Sequence, residues 1–484
     1  MKPASLAASS RDLSRNRTRV LGASGLLVAG GLTQAAIAAK LYALQYAFPI
    51  LLAVIGAAFM WLLVEAYALR GEAKLLLVMG VAVLLQTQWS RIHEFPKSYT
   101  DIAIVLVMLL WLGVRLWLGE RIRLGDPLLA IPLGIFLALA GLAALIGLAY
   151  GNEAVTIARE TSRLACYLAF FVAVDSLRSR AAIERLVLMM GVLAVGFAMF
   201  EFADFVLHPI SLRLITRNVI VFFFAFCFLL VWTVESKRRL ARLLLMCGLI
   251  LVSVAILVSQ VRGVYLACFV AVCAYLIYTL RRHRGRFVRI ILASFMLIAV
   301  LGIAFVYVDF PLKGLIVKLL ASRMRHFTTV QAMFETQSLL AKLSSFRAIL
   351  SRVQHSPLWG FGLASTVDYS DPTGIWIRNT SYFDSTWFTI LLKMGIVGVA
   401  SYLAVFGAFC RSTFRLLFRT EDEFTRRVAL ALAIALPGTF WLSLVNSFLF
   451  AYPMIVIIAV LMAIVSRLTR EAAATDLCLE MSLS

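Results

Sequence analysis

The chain has 484 residues, 62% of them hydrophobic, and 46 Lys and Arg against 25 Asp and Glu give it a net charge of +21. Its mean hydropathy of +0.94 lies beyond the range of soluble domains, which are only ~45–50% apolar. A soluble globular enzyme and a disordered chain are therefore excluded. The surplus of cations falls between apolar runs, so it reads as a membrane-topology signal, and no nucleic-acid partner is inferred from it.

In chain order, about fourteen apolar runs have the length of a spanning helix. They cover 20–39, 47–66, 75–89, 102–118, 128–150, 160–177, 186–207, 218–234, 243–259, 263–280, 290–308, 394–410, 428–446 and 451–467. Leaving out the first and third, which are the weakest, lowers the count to about twelve. The basic tail ahead of the run that ends near Ala36-Ile37-Ala38 has the layout of a cleavable signal. It is long for a signal, however, and an uncleaved anchor is expected.

Lysines and arginines alternate between connections. Arg70 and Lys74, Arg121 and Arg123, then Arg178, Arg180 and Arg185 fill every second loop. Lys237 to Arg242, Arg281 to Arg289, and Arg411 to Arg427 keep the same parity, as do the N-terminal tail and Arg467 and Arg470. The positive-inside rule puts all of these in the cytoplasm, both termini included. The cysteines lie in apolar runs or the tail, without metal-site spacing, and read as small packing residues.

Five arginines break the pattern. Arg159, Arg163, Arg213, Arg217 and Arg262 fall on the face where cations should be scarce. The first four form two i,i+4 pairs, in which like charges repel. An anion held at the outer face explains such a gathering, and a lipid-linked diphosphate is the leading candidate. The competing reading is an ordinary surface ion-pair helix in which Glu153 and Glu160 neutralise Arg159 and Arg163. Glu201 and Asp204, near the outer end of their helix, are expected to orient the arginines.

Residues 309–393 are too polar to span and too long for a simple connection. Leu339, Leu343, Phe346, Leu350 and Val353 predict an amphipathic helix with Arg352 off its apolar stripe. Leu312 to Phe334 also reads as helical. Tyr369, Trp376, Tyr382, Phe383, Trp387 and Phe388 crowd the rest, suiting either sugar faces or the membrane interface. Asp384 stands where a helix N-cap is expected. The same carboxylate could serve as general base for an attacking hydroxyl.

Three local patterns resemble the O-antigen ligase and O-antigen polymerase superfamily. Gln260-Val261-Arg262-Gly263-Val264-Tyr265-Leu266-Ala267 is similar to its Ser-x-Arg-Gly segment. His355-Ser356-Pro357-Leu358-Trp359-Gly360-Phe361-Gly362 is similar to its His-Pro-Leu-x-Gly-x-Gly turn. Asp384-Ser385-Thr386-Trp387 through Met394-Gly395-Ile396-Val397-Gly398 resembles its His-Asn-x-x-Leu…Gly-x-x-Gly element, and Arg217-Asn218 the arginine before an earlier helix. The likeness runs in order over roughly 155–465.

The resemblance implies an all-α polytopic membrane protein of GT-C-type glycosyltransferase architecture, with 12–14 spans and a large helical periplasmic loop. The corresponding division is a basic tail at 1–19, spans at 20–308, the loop at 309–393, spans at 394–467 and a tail at 468–484. It implies glycan transfer in the bacterial inner membrane from an undecaprenyl-diphosphate-linked donor, with no metal or other cofactor. The acceptor is a glycan or lipid A-core, and a chain-length regulator is a further partner. Arg262, Arg217 and Asp384 take the catalytic places. Arg159, Arg163, Arg213, His355, Trp359 and Tyr382 join them as substrate-binding candidates. Where the ligases carry histidine this chain has Asp384, which favours a polymerase of repeat units over a ligase. A lipid-linked oligosaccharide flippase is the third reading, weakened because no paired internal repeat is visible.

Overall fold

The computed structural model describes residues 105, 108, 109, 117, 123–207, 219–259, 261–282, 337–370, 376–381, 383–447 and 452–483. All belong to the unit Arg70–Ser484. The expected spans before residue 102 and at 290–308, the expected helix Leu312 to Phe334, and most of 102–118 lie outside the described residues.

Helix α1 covers Pro127–Ala149, α2 Ala154–Ala165, α3 Ala169–Ser176, α4 Arg180–Leu207 and α5 Val219–Glu235. Helix α6 covers Arg239–Ser259, α7 Arg262–Arg282 and α8 Gln337–Val353. Strands β1 (Val367–Ser370) and β2 (Trp376–Thr380) follow, then α9 (Thr386–Arg419), α10 (Glu423–Val445) and α11 (Tyr452–Leu483). Six of these helices are long and apolar enough to cross a membrane: α1, α4, α6, α7, α9 and α10.

Local chemistry sets the boundaries. The Asp126 carboxylate accepts from Leu128 N at the start of α1, with Pro127 in the first turn, where a missing N–H costs nothing. Asp422 caps α10 in the same way through Thr425 N, at 2.8 Å. The expected span 160–177 is not one helix. A short 3-10 turn, Cys166–Leu168, joins α2 to α3.

Burial divides the helices by role. In α11 the residues from Met454 to Val465 are all buried, as expected for a helix apolar on every side and enclosed by others. By contrast α1 exposes Ile131, Ile135 and Leu145, and α6 exposes Leu243, Leu244 and Leu257. Large aliphatic side chains in such rows suit contact with lipid tails. Around the buried helices, α9 packs on α1 and α10, α10 on α7 and α5, and α11 on α3.

The two ends of the bundle differ in chemistry. At one end Arg180 meets Asp422 at 2.6 Å and Lys237 meets Glu423 at 3.4 Å. Arg427 donates to Glu235 O at 2.7 Å, and Arg467 to Arg178 O at 3.2 Å. Asp126 N donates to Ser466 Oγ at 2.6 Å. Loops of one charge parity are thus gathered at one end. The opposite end carries the turn between α1 and α2, the start of α7, and the segment from α8 to the start of α9.

That segment is not purely helical, which corrects the expected helical loop. Strands β1 and β2 pair antiparallel, with Val367 opposite Thr380 and Ser370 opposite Trp376. Helix α9 begins at Thr386, two residues after Asp384, where a helix start was expected. The apolar stripe of α8 is also turned from its expected place. Leu343 and Leu350 are exposed, whereas Ile349 and Val353 are buried against Val367, Phe383 and Leu392. The hairpin and α9 decide which side of α8 is covered, and neither is visible in the periodicity of α8 alone.

Candidate functional site

The site end is built around a break in α9. Gly395 has φ 64° and ψ −163°, so the helix kinks there. A kink frees backbone groups that must find partners when buried. The turn at 357–362 supplies them. Phe361 N donates to Leu392 O at 2.9 Å and Gly362 N to Lys393 O at 3.0 Å. In return Ile396 N donates to Pro357 O at 2.9 Å and Val397 N to Leu358 O at 3.2 Å. Two motifs read separately in the sequence are therefore one interlocked unit. Asn152, in the turn between α1 and α2, donates to Phe361 O and Leu363 O at 3.0 and 2.8 Å.

Asp384 stands just ahead of α9. Its neighbours Phe383, Ser385 and Thr386 are all buried, while its own side chain is 66% exposed. The expected N-cap role is not what the structure shows. Ser385 occupies the N-cap position, and it makes no side-chain capping bond. Asp384 instead faces the Lys342 ammonium of α8 at 3.6 Å. Lys342 donates to Val445 O at 3.0 Å, and Thr386 Oγ1 donates to Asn446 O at 3.0 Å. The same Val445 and Asn446 side chains lie beside the Cα of Gly263, 3.1 and 3.3 Å from where a Cβ would stand. The start of α7, where Arg262 stands, thus packs against the same end of α10 that Lys342 reaches. Stacking of Phe346 on Phe388, with ring centroids 4.1 Å apart, fixes α8 against α9.

Seven residues along α9 from Thr386, or about 10 Å at the helical rise, lies Lys393. It is fully buried and ion-paired with Glu160 of α2, which is buried too. Glu160 Oε2 also accepts from Ala364 N at 2.7 Å. This overturns the surface ion-pair reading of α2. Glu160 points into the protein, and the exposed Glu153 carboxylate accepts from Thr156 Oγ1 at 2.5 Å. Arg159 keeps a buried Nε with no hydrogen-bond partner. Arg163 lies close enough for its charge to act on Lys393.

The other expected site residues divide as follows. Arg213, Arg217 and Tyr382 lie outside the described residues. Glu201 and Asp204 fall in the last turns of α4. His355 is exposed in the glycine turn, its Nδ1 3.3 Å from Arg352 O, and Trp359 is half-exposed at the same turn. Sequence reading passed over Lys342 and Lys393. Lys393 had a usable signal: it is a single cation in an otherwise apolar run, and such residues seldom lie there without a partner.

These features define an all-α polytopic membrane protein with charged side chains at both ends of the bundle and a buried ion pair near the site end. Residues 247–403 match the family model described as O-antigen ligase. That match supports the O-antigen ligase and polymerase superfamily, and with it glycan transfer of that type. The matched stretch runs from α6 into α9 and includes Arg262, Lys342, Asp384, Lys393 and the interlocked glycines. Arg159, Glu160 and Arg163 lie before it. Among curated proteins none matches the chain.

Proposed function

We propose that the chain polymerises repeat units of a bacterial surface glycan, using an undecaprenyl-diphosphate-linked donor at the outer face of the inner membrane. The acceptor hydroxyl oxygen attacks the anomeric carbon of the donor, and the bond from that carbon to the diphosphate oxygen breaks. The hydroxyl proton passes to the Asp384 carboxylate, and the electron pair of the broken bond leaves with the diphosphate. Negative charge grows on the leaving group, and arginines already in position stabilise it. Arginine suits this task because its planar fork holds phosphate oxygens bidentately and stays charged. Arg262, Arg159, Arg163, Arg213 and Arg217 take that role, with Glu201 and Asp204 orienting them. His355, Trp359 and Tyr382 contact the sugar.

One observation carries the reading. Among the described residues neither carboxylate of this region bonds Arg159: Glu153 accepts from Thr156, and Glu160 pairs with Lys393 and accepts from Ala364 N. Arg159 is left with an unsatisfied buried Nε, an arrangement that favours an anion. The outer arginines and the flat aromatic side chains also support a glycan donor of this kind. The family description names ligation, and joining finished polymer to lipid A-core is the second reading.

Deletion of the gene in its host, followed by electrophoresis of surface and lipid-linked glycans, tests the proposal. Loss of the polymer ladder, with acceptors carrying a single repeat unit, is the expected result. Full-length polymer stranded on the polyprenyl lipid would replace polymerase with ligase. Single lipid-linked units trapped on the cytoplasmic side would replace both with transport.

A further inference from the structure

The Glu160–Lys393 pair raises a question of charge. Within α2, Glu160 is three residues before Arg163 and next to Arg159, so a helix of this sequence alone offers it an arginine partner at i,i+3. In the folded protein both of its oxygens go elsewhere, one to Lys393 and one to Ala364 N. Lys393 comes from a helix 233 residues away. It is delivered by the kinked start of α9, whose own carbonyls are held by the glycine turn. Ala364, two residues past that turn, has φ 60°, in the left-handed region that a non-glycine residue adopts only when its surroundings impose it. Several constraints therefore converge on keeping this carboxylate inward.

We infer that Lys393 is a positioning residue that withdraws Glu160 from Arg159, so that the Arg159 charge is presented to an anionic diphosphate ligand. The inference rests on the diphosphate reading above. The buried pair sums to zero charge. Without the ammonium, a buried carboxylate one turn from Arg163 and adjacent to Arg159 would cancel part of the positive field. With the ammonium in place, Arg159 keeps its Nε unengaged. Glu160 in turn prevents Lys393 from adding a lone buried charge beside Arg163, whose charge already acts on it.

The arrangement predicts effects of opposite sign for its two members, which a purely structural pair would not show. The full-length protein in detergent is titrated with undecaprenyl diphosphate, and affinity is compared across Lys393→Met, Glu160→Gln and the double variant. Lys393→Met should weaken binding on the order of tenfold, the scale of one uncompensated nearby charge. Glu160→Gln should bind as tightly as wild type or more tightly, since glutamine still accepts from Ala364 N but carries no charge. The double variant should recover to within about threefold of wild type. If both single variants weaken binding and the double is no better, the pair is structural and the inference fails. Should Lys393→Met not insert, Glu160→Gln alone decides, because weaker binding there overturns the inference. Arg159→Ala separates the two levels. If it binds like wild type, or wild type does not bind, the diphosphate reading itself fails; if it loses binding while Lys393→Met is unaffected, only the role of Lys393 falls.

Discussion

Gly360 and Gly395 meet backbone to backbone. A Cβ on Gly360 would stand 2.6 Å from Leu392 O and 2.7 Å from Gly395 N, and one on Gly395 would collide with Leu358 O. Both residues have positive φ, at 70° and 64°, which side chains of L residues disfavour. The turn and the helix kink are thus shaped to each other. Gly360→Ala should lower the stability of the detergent-solubilised protein by about 2 kcal/mol or more, combining φ strain with overpacking. Thermal unfolding measures it; an unshifted midpoint would show that the two segments do not interlock.

Asp384 is exposed and caps nothing, so removing its charge should leave the fold intact. Asp384→Asn is expected to change stability by no more than about 0.5 kcal/mol. Turnover of lipid-linked repeat units should fall by about 10²-fold or more if the carboxylate takes the acceptor proton. Equal turnover in the two proteins would remove Asp384 from the chemistry. Lys342→Met should lower turnover as well, because it removes the ammonium 3.6 Å from that carboxylate and the bond to Val445 O.

At the other end of the bundle Asp422 provides a pH-dependent contact. Partial burial pushes its carboxyl upward, but the hydrogen bonds from Arg180 and Thr425 outweigh this and hold it below the ordinary carboxylate range. A depressed folded-state value means the contribution is complete above the unfolded value, ~3.9. It fades as the pH falls through the lower folded one. Asn at this position still caps α10 yet cannot pair with Arg180. The Tm advantage of wild type over Asp422→Asn should therefore be present at neutral pH and shrink below about pH 4. A constant difference across that range would assign it to packing.

Membrane sidedness can be read by labelling. A single cysteine introduced at Ser351, exposed on α8, should react with an impermeant maleimide added from the periplasmic side. A cysteine replacing Arg185, in the first turns of α4, should react only after the inner membrane is opened. The reverse pattern would invert the topology, and the proposed outer-face chemistry would go with it.

Among the described residues, the membrane class and most helix positions could be read directly from the chain. Apolar runs of 20 residues fix helices such as Pro127–Ala149 and Glu423–Val445, because unpaired backbone cannot lie in lipid. Alternating basic loops likewise anticipated which connections meet, as Arg180 with Asp422 and Arg467 with Arg178 O show. Both signals are one-dimensional: hydropathy and charge act through position along the sequence. The hairpin, the covered side of α8 and the inward turn of Glu160 were not legible in this way. Each depends on a partner far along the chain, Val367 and Phe383 for α8, Lys393 and Ala364 for Glu160. The sequence by itself raised the expectation that arginines gather on one face. Only the tertiary structure decided that Glu160 pairs with Lys393, because a buried carboxylate goes to whichever cation the fold brings to it.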